Sequence, residues 1–455
     1  MDDPTRVSRL EEQLQGLLLR PDSPGYDQAR TLWNGMIDRR PALIVRCESA
    51  EDVVAAVNFA REEGLRPTMR GGAHGVAGHA VRDDGLMIDL SLMNSVSVDP
   101  AARVARVGPG AVLGDMDAAT QKHGLATTGG VDSRTGVAGL TLGGGMGWLA
   151  RSFGLALDNL IALEVVTADG QHRTASNDEN PDLFWALRGG GGRFGVVTAF
   201  EFQLHKVGPE VAMAQVFHPG SDAAGALRFF RDYMAKAPDQ VGAGAMVMTV
   251  PPVEPFPEAH HGKTAVALVG CYSGALEDGM RVLQGMREYG TPILDVLTPI
   301  PYADLQQSFD QATPEGARYY WKSQYLGELS DEAIDTLAAH IESLPGPFTT
   351  IAFETMGGAI SRVDPAQTAF PHRKAPFNFG VWAGWTEPEY DETAIGWTRK
   401  LHEAMTPYST GGVYANYLDH DDSDKMKAAF GENHDRLQAI KEKYDPDNLF
   451  RIGGS

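Results

Sequence analysis

Arg70 to Val81 reads RGGAHGVAGHAV, a turn dense in glycine that carries two histidines, His74 and His79. Glycine crowds where a backbone must approach another group closely or take a positive φ, so this turn is shaped around something. An imidazole at its centre can hydrogen-bond the backbone or offer a ring nitrogen as a nucleophile. Two further glycine loops follow, TTGGVDSRTGVAGLTLGGGMGWLARSFGLALDNL from Thr127 and LRGGGGRFG from Leu187. Three such loops in the first half of one chain suggest a large anionic ligand held by backbone amides. A dinucleotide is the obvious case.

The usual dinucleotide fingerprint does not apply. Gly190, Gly192 and Gly195 spell G-x-G-x-x-G, but that motif needs a strand entering the loop and a helix leaving it. Here a helix, PDLFWALR, enters and a strand, GVVTAFEF, leaves. No GxxxxGK[ST] occurs in these loops, which disfavours a P-loop NTPase. His260 and His261 are adjacent in the proline-rich PPVEPFPEAHHG, a poor spacing for chelation, so no metal is expected.

The elements around the first loop form a βαβ-sized unit. ALIVRCES reads as a strand, and Ser49 caps a helix with Asp52 three positions on. Val53, Val57 and Ala60 share one helical face, Gly64 stops it, and RPTM delivers the chain into the turn. GLMIDL, NSVSV and RVARV read as short strands, VLGDMDAATQKHG as a helix closed by Gly124, and IALEVVTADGQHRTA as a hairpin. Beyond Val207 the glycine loops cease. Apolar strands such as TAVALVGCYS, FTTIAFETM and FNFGVWAGW then alternate with amphipathic helices such as SDEAIDTLAAHIESL, which predicts an α+β domain.

The 455 residues allow two or three domains and a large core. A formal net charge of −21 argues against nucleic acid or an anionic membrane as partner. Cys47 and Cys271 are far apart and in no metal-like or redox-like spacing. The start, MDDPTRVSRLEEQ, lacks the apolar stretch of a secretory signal, and no run nears the ~20 apolar residues of a membrane span. A cytoplasmic protein is expected.

Together, RPTMRGGAHGVAG, TGVAGLTLGGGMGWLARSFGLALDNL, DLFWALRGGGGRFGVVTAFEFQLH, VYANYLDHDD and NHDRLQAIKEKYDPDNLFR resemble the flavin-linked oxidases of the vanillyl-alcohol oxidase superfamily. The branch they resemble is that of berberine bridge enzyme and 6-hydroxy-D-nicotine oxidase. The likeness is strong over residues 35–207 and 408–452 and only outlined between. It implies an α+β fold: a two-part FAD-binding domain, residues 1–207 and 408–455, and a substrate domain, 208–407, with an antiparallel sheet and helices on one face.

The resemblance implies that His74 is linked covalently to the 8-methyl carbon of FAD. It assigns cofactor contacts in the first loop to Arg70, Gly71, Gly72, Ala73, Gly75, Gly78 and His79. In the second loop they fall on Gly130, Asp132, Thr135, Gly136, Gly139, Thr141, Gly143, Gly144, Gly147 and Trp148. Gly195, Val197, Asn416 and Asn448 complete the set. Many relatives carry a second flavin link through a cysteine whose position here is Asp132, so a single link is expected. Thr135 falls near the position thought to control oxygen access.

The reaction so implied is oxidation of a CH–OH or CH–NH carbon of a small molecule by hydride transfer, with oxygen as acceptor. A dehydrogenase using another acceptor, or a catalytically silent flavoprotein, are the alternatives. In relatives a tyrosine of the Y-x-N-Y segment is the base, which points here to Tyr414 or Tyr417, with Tyr414 favoured. A free phenol has a pKa of about 10, so Lys322 and Arg373 are expected helpers. Tyr319, Tyr320, Trp321, Trp382 and Trp385 offer an aromatic wall for substrate.

Overall fold

The computed structural model describes residues 4–451. The chain builds three principal sheets. The first contains β1 (Leu17–Leu19), β2 (Leu43–Arg46), β3 (Pro67–Arg70) and β4 (Leu86–Asp89), in the order β1-β2-β4-β3. β2, β4 and β3 run parallel, joined through the helix Ala50–Glu63. Ser49 accepts the Asp52 amide at 3.3 Å at the start of that helix, and Gly64 ends it at φ 64°. The His74 turn therefore leaves the carboxyl end of a parallel strand, the end where open α/β sheets present loops to ligands.

The second sheet is antiparallel. It contains β5 (Val96–Asp99), β6 (Val104–Val107), β8 (Leu160–Val166), β9 (His172–Ser176) and β10 (Val196–Gln203), ordered β5-β6-β10-β8-β9. β7 (Leu125–Ala126) pairs separately with β11 (His205–Lys206). The second glycine loop spans the gap between β7 and β8, and the third enters β10. The expected β8–β9 hairpin forms, with Gly170 at φ 77° in its turn.

The third sheet has seven antiparallel strands: β12 (Glu210–Pro219), β13 (Val241–Thr249), β14 (Thr264–Tyr272), β15 (Leu294–Pro301), β16 (Arg318–Leu326), β17 (Thr350–Thr355) and β18 (Phe377–Trp385). Their order is β15-β12-β14-β13-β17-β18-β16. Helices Ala223–Met234, Leu276–Leu283, Asp331–Ala338 and Asp391–Met405 bury apolar stripes against one face, around Leu227, Phe230, Leu337, Leu401 and Phe379. The opposite face lies on the glycine-loop half, with Met213, Phe217, Met246 and Val269 packed around Trp148.

The chain then comes home. Helix His434–Tyr444 settles against helix Pro181–Leu187, where the Arg436 guanidinium lies 3.9 Å from the Trp185 ring centre and Tyr444 donates to Asp182 at 2.9 Å. Among the described residues no helix is long and apolar enough to cross a membrane.

Candidate active site

The first two glycine loops meet backbone to backbone. A Cβ on Gly72 would stand 2.5 Å from the Gly136 nitrogen, and one on Gly71 would stand 2.8 Å from the Pro109 carbonyl. Nothing larger than glycine fits at that crossing. Ala73, between Gly72 and His74, takes φ 58°, a left-handed conformation that costs roughly 1–2 kcal/mol without glycine. Among the described residues the amides of Gly71, Gly72, Ala73, His74 and Gly75 donate to no protein acceptor. A Cβ on Gly75 or on Gly139 would meet nothing within 4 Å. A run of free amides beside open space fits the pyrophosphate of a dinucleotide. Arg70, 3.3 Å from Asp89, braces the strand that feeds the turn.

Other residues singled out in these loops face protein. A Cβ on Gly78 would strike Ile37, on Gly130 Leu140, on Gly143 Asn416, on Gly144 Tyr414 and on Gly147 the Gly129 carbonyl. Their smallness lets the second loop fold on itself and receive the C-terminal segment. Thr135 accepts the Leu113 amide through its carbonyl at 2.9 Å, and the buried Thr141 accepts that of Gly144 at 3.2 Å. Trp148 packs at the foot of the seven-stranded sheet, 5.9 Å from Phe309. Gly195 at φ 156° sits under the Val166 carbonyl, and Val197 is core. Asn448 turns the chain after the last helix at φ 52°, its amide on the Asp445 carbonyl. His79 is the exception, an exposed residue of the turn, whose surroundings and then Arg39 push the imidazole pKa down against the pull of Asp419.

His74 is held on two sides. The Trp33 ring stacks on it, with centroids 4.2 Å apart and planes 17° from parallel. Its Nε2 is buried without a hydrogen-bond partner, 3.7 Å from Asp132 Oδ2. That carboxylate also accepts from Thr313 Oγ1 at 2.7 Å and from Arg134 Nη2 at 2.6 Å and Nε at 3.1 Å. Burial opposes its charge, yet His74, Arg134 and Thr313 together hold the Asp132 carboxyl well below the usual range.

From Trp33 a chain of rings crosses to the seven-stranded sheet. Trp33 meets Tyr319 at 3.9 Å and Trp321 at 5.6 Å. Trp321 meets Trp382 at 5.7 Å and Tyr417 at 5.5 Å, and Tyr417 meets Tyr414 at 4.7 Å. Tyr414 closes the arc on the second glycine loop. Its hydroxyl accepts the Gly145 amide at 2.8 Å and the Asn416 side-chain amide at 3.0 Å, while Asn416 also donates to the Leu140 carbonyl at 3.0 Å.

The two tyrosines differ in what they face. Tyr414 is 2% exposed and its hydroxyl is committed to the loop, while burial raises the pKa of both phenols alike. Tyr417 keeps a partly accessible surface and donates to Glu354 Oε1 at 3.0 Å. Glu354 also accepts from Asn378 Nδ2 at 2.6 Å. Burial pushes Glu354 up to about 7, against those two hydrogen bonds. The preference for Tyr414 as base is therefore not what the geometry supports. Tyr414 precedes a single 3-10 turn, Ala415–Tyr417, and Tyr417 ends it, so the two do not alternate along a strand.

Strand alternation divides the aromatic wall. Tyr319 and Trp321 of β16, Glu354 of β17 and Asn378 and Trp382 of β18 share the face toward the loops, with Trp321 opposite Trp382 and Glu354 opposite Asn378. Tyr320 and Trp385 point to the helical side: Tyr320 donates to Asp421 at 2.7 Å and Trp385 to Asp391 at 2.8 Å. Lys322 is clamped by Asp421 at 2.5 Å and Asp422 at 2.7 Å. Arg373 is fully buried, forked onto Asp158 at 2.7 and 2.9 Å. Neither cation reaches Tyr417, so the expectation that they assist the base is corrected.

Sequence reasoning missed Trp33, Thr313, Glu354 and Asn378. Glu354 had a signal: it is the one acid in the apolar run FTTIAFETM, and a carboxyl on a packed strand needs a reason.

Comparison with known proteins shows the family of the chain. Residues 41–176 match the FAD binding domain model, and residues 413–455 match the berberine and berberine-like model. An FAD-linked oxidoreductase of Dictyostelium discoideum is 31% identical over 98% of this chain and 95% of its own length. The (R)-6-hydroxynicotine oxidase of Paenarthrobacter nicotinovorans is 30% identical over 96% of each. Among solved structures, 6-hydroxy-D-nicotine oxidase from Arthrobacter nicotinovorans superposes with a TM-score of 0.86 at 29% identity, covering 97% of both chains. The BBE-like 1 protein of Physcomitrella patens gives 0.88 at 25% identity, covering 99% of this chain and 98% of that one. The chain thus belongs to the FAD-linked oxidoreductases of the vanillyl-alcohol oxidase superfamily, in the berberine bridge enzyme and 6-hydroxynicotine oxidase branch.

Proposed function

We propose that the protein is an oxidase with one covalent FAD, tethered at His74, and that Tyr417 with Glu354 takes the substrate proton. The observation that carries this is the Tyr417–Glu354 pair, hydrogen-bonded at 3.0 Å at one end of an aromatic arc that begins at His74. The free amides of Gly71 to Gly75 would cradle the pyrophosphate, and His74 would hold the ring system. When bound, FAD supplies the acceptor for a hydride from the substrate carbon.

The residues then divide the remaining work. Trp321 and Trp382 bracket Tyr417 and offer apolar faces to a flat or cyclic substrate. Tyr417 receives the O–H or N–H proton at its hydroxyl oxygen while passing its own proton to Glu354 Oε1. Because both transfers proceed along one hydrogen-bonded line, Tyr417 need not become a free phenolate, which burial and Glu354 strongly disfavour. Glu354, poised at about 7, is an adequate terminal acceptor near neutral pH.

Oxygen as acceptor is supported by the relatives named as oxidases, among them 6-hydroxynicotine oxidase and the glucooligosaccharide oxidase of Sarocladium strictum. Those names span an amine-bearing ring and a sugar, so the substrate class here is a CH–NH or CH–OH carbon of a small molecule. Nothing in this reading calls for a nucleic-acid or membrane partner, and a cytoplasmic location suits it.

The test has two stages. Acid-precipitated protein should keep its yellow colour in the pellet. A panel of sugars, alcohols and amines should then contain a compound that bleaches the flavin without air, with rapid recovery on admitting oxygen. A pellet without colour removes the tether; slow recovery replaces oxidase with dehydrogenase; no bleaching across the panel removes the catalytic reading.

A further inference from the structure

The pairing of His74 with Asp132 is not explained by a flavin loop as such. The imidazole Nε2 is buried and lacks a hydrogen-bond partner, and the nearest acid, Asp132 Oδ2, stands 3.7 Å away. Asp132 is itself immobilised. Thr313 Oγ1 and Arg134 Nη2 both bond Oδ2, while the Arg134 amide at 2.9 Å and Nε at 3.1 Å bond Oδ1. Thr313 ties the assembly together, since its carbonyl accepts from Trp33 Nε1 at 3.1 Å and Arg134 Nη2 at 3.0 Å. Trp33 in turn fixes the imidazole plane by stacking. A histidine kept only as a turn residue would need neither an indole on its face nor a clamped carboxylate at its edge.

We propose that Asp132 is the positioning residue for the tether: it keeps a proton on His74 Nε2, leaves the Nδ1 lone pair to form the bond, and balances the imidazolium that results. The principle is that of any histidine whose free nitrogen is selected by what the other nitrogen faces. The inference rests on the tether reading above. In the linking step Nδ1 bonds the 8-methyl carbon and one C–H bond of that methyl breaks, its proton leaving to solvent. The two electrons pass through the ring system to dioxygen, which takes up two protons from solvent to give hydrogen peroxide. Nε2 keeps its proton, and the positive charge stays against Asp132.

The experiment compares full-length wild type, Asp132→Asn, Asp132→Glu and Thr313→Val, each incubated with added FAD in air. Total bound flavin and acid-stable flavin are followed in time, and the flavin peptide is examined by NMR for the bonded nitrogen. Wild type should link through Nδ1. Asp132→Asn should still bind flavin but link it roughly 10- to 100-fold more slowly, as when an orienting partner of a ligating histidine is lost, and should give a mixture of nitrogens. Asp132→Glu should recover part of the rate. Thr313→Val, which only loosens the carboxylate, should slow linkage less, and it decides the matter if Asp132→Asn does not fold.

An Nε2 link in wild type, or unchanged rate and nitrogen in both Asp132→Asn and Thr313→Val, would overturn the role of Asp132 while leaving the tether standing. Wild type with bound but entirely acid-labile flavin would overturn the tether, and this role with it.

Discussion

Each end of the aromatic arc holds a carboxylate, buried at Asp132 and half-buried at Glu354, and their pKa values shift in opposite directions. At the cofactor end Asp132 faces a guanidinium, a hydroxyl and an imidazole, and its carboxyl is held far down despite burial. At the substrate end Glu354 has only an amide and a phenol for company, and burial raises it to about 7. The lesson is that burial alone decides little; the charge of the donors does. Asp132 is a fixed anion suited to holding a cation in place. Glu354 can exchange a proton at neutral pH. Two carboxylates pushed apart by their surroundings can take different acid–base roles.

The contrast can be tested at each end. The largest effect is expected at the cofactor end, where His74→Ala removes the only proposed link. Acid precipitation should then leave the pellet colourless and the supernatant yellow, although the amide cradle still binds FAD. At the substrate end, Glu354→Gln should slow flavin reduction about 10- to 100-fold above pH 7. Its pH profile is the sharper readout: in wild type the rate rises as Glu354 ionises through about 7, and in the variant that limb should vanish.

Tyr414→Phe should have a smaller effect on the reaction. It removes the acceptor for the Gly145 amide and for Asn416, so it should cost about 1–3 kcal/mol of stability while flavin reduction stays within about threefold. Lower Tm with nearly intact rate is the expected result. Asp117, outside the arc, behaves as Glu354 does: buried with one donor, Gln306 at 3.1 Å, it is raised to about 7. A raised folded-state pKa means the native protein binds the extra proton, so stability falls as pH rises from about 4 toward 7 and is level above. Asp117→Asn should flatten that part of the stability–pH curve and gain about 1–3 kcal/mol at pH 8, measured by chemical denaturation.

The crossing of the two glycine loops was legible in the sequence, and the cluster around Tyr417 and Glu354 was not. Gly71, Gly72 and Gly136 announce a close backbone crossing through composition alone, and Ser49, Gly64 and Gly170 mark a cap, a stop and a turn by local rules. The helix-then-strand order around Gly190 excluded the wrong nucleotide fold for a reason the structure bears out. The substrate end is made of long-range neighbours instead. Glu354 meets Tyr417 across 63 positions, and Trp33 donates to Thr313 across 280. No local period encodes which strand lies beside which, and the face toward the loops depends on register. Tyr320 and Trp321 illustrate the cost: adjacent in sequence and equally aromatic, they point to opposite sides of β16. Tyr414 and Tyr417 could not be ranked either, because their difference lies in partners 269 and 63 residues away.

The decisive experiment is single-turnover flavin reduction, without air, in Tyr417→Phe and Tyr414→Phe side by side, using whichever sugar, alcohol or amine bleaches the wild type. The expected outcome is a loss of roughly 100- to 10,000-fold in Tyr417→Phe and near wild-type reduction in Tyr414→Phe. A Tyr417→Phe variant that reduces its flavin as fast as wild type, or a collapse confined to Tyr414→Phe, would contradict the assignment of proton transfer to the Tyr417–Glu354 pair.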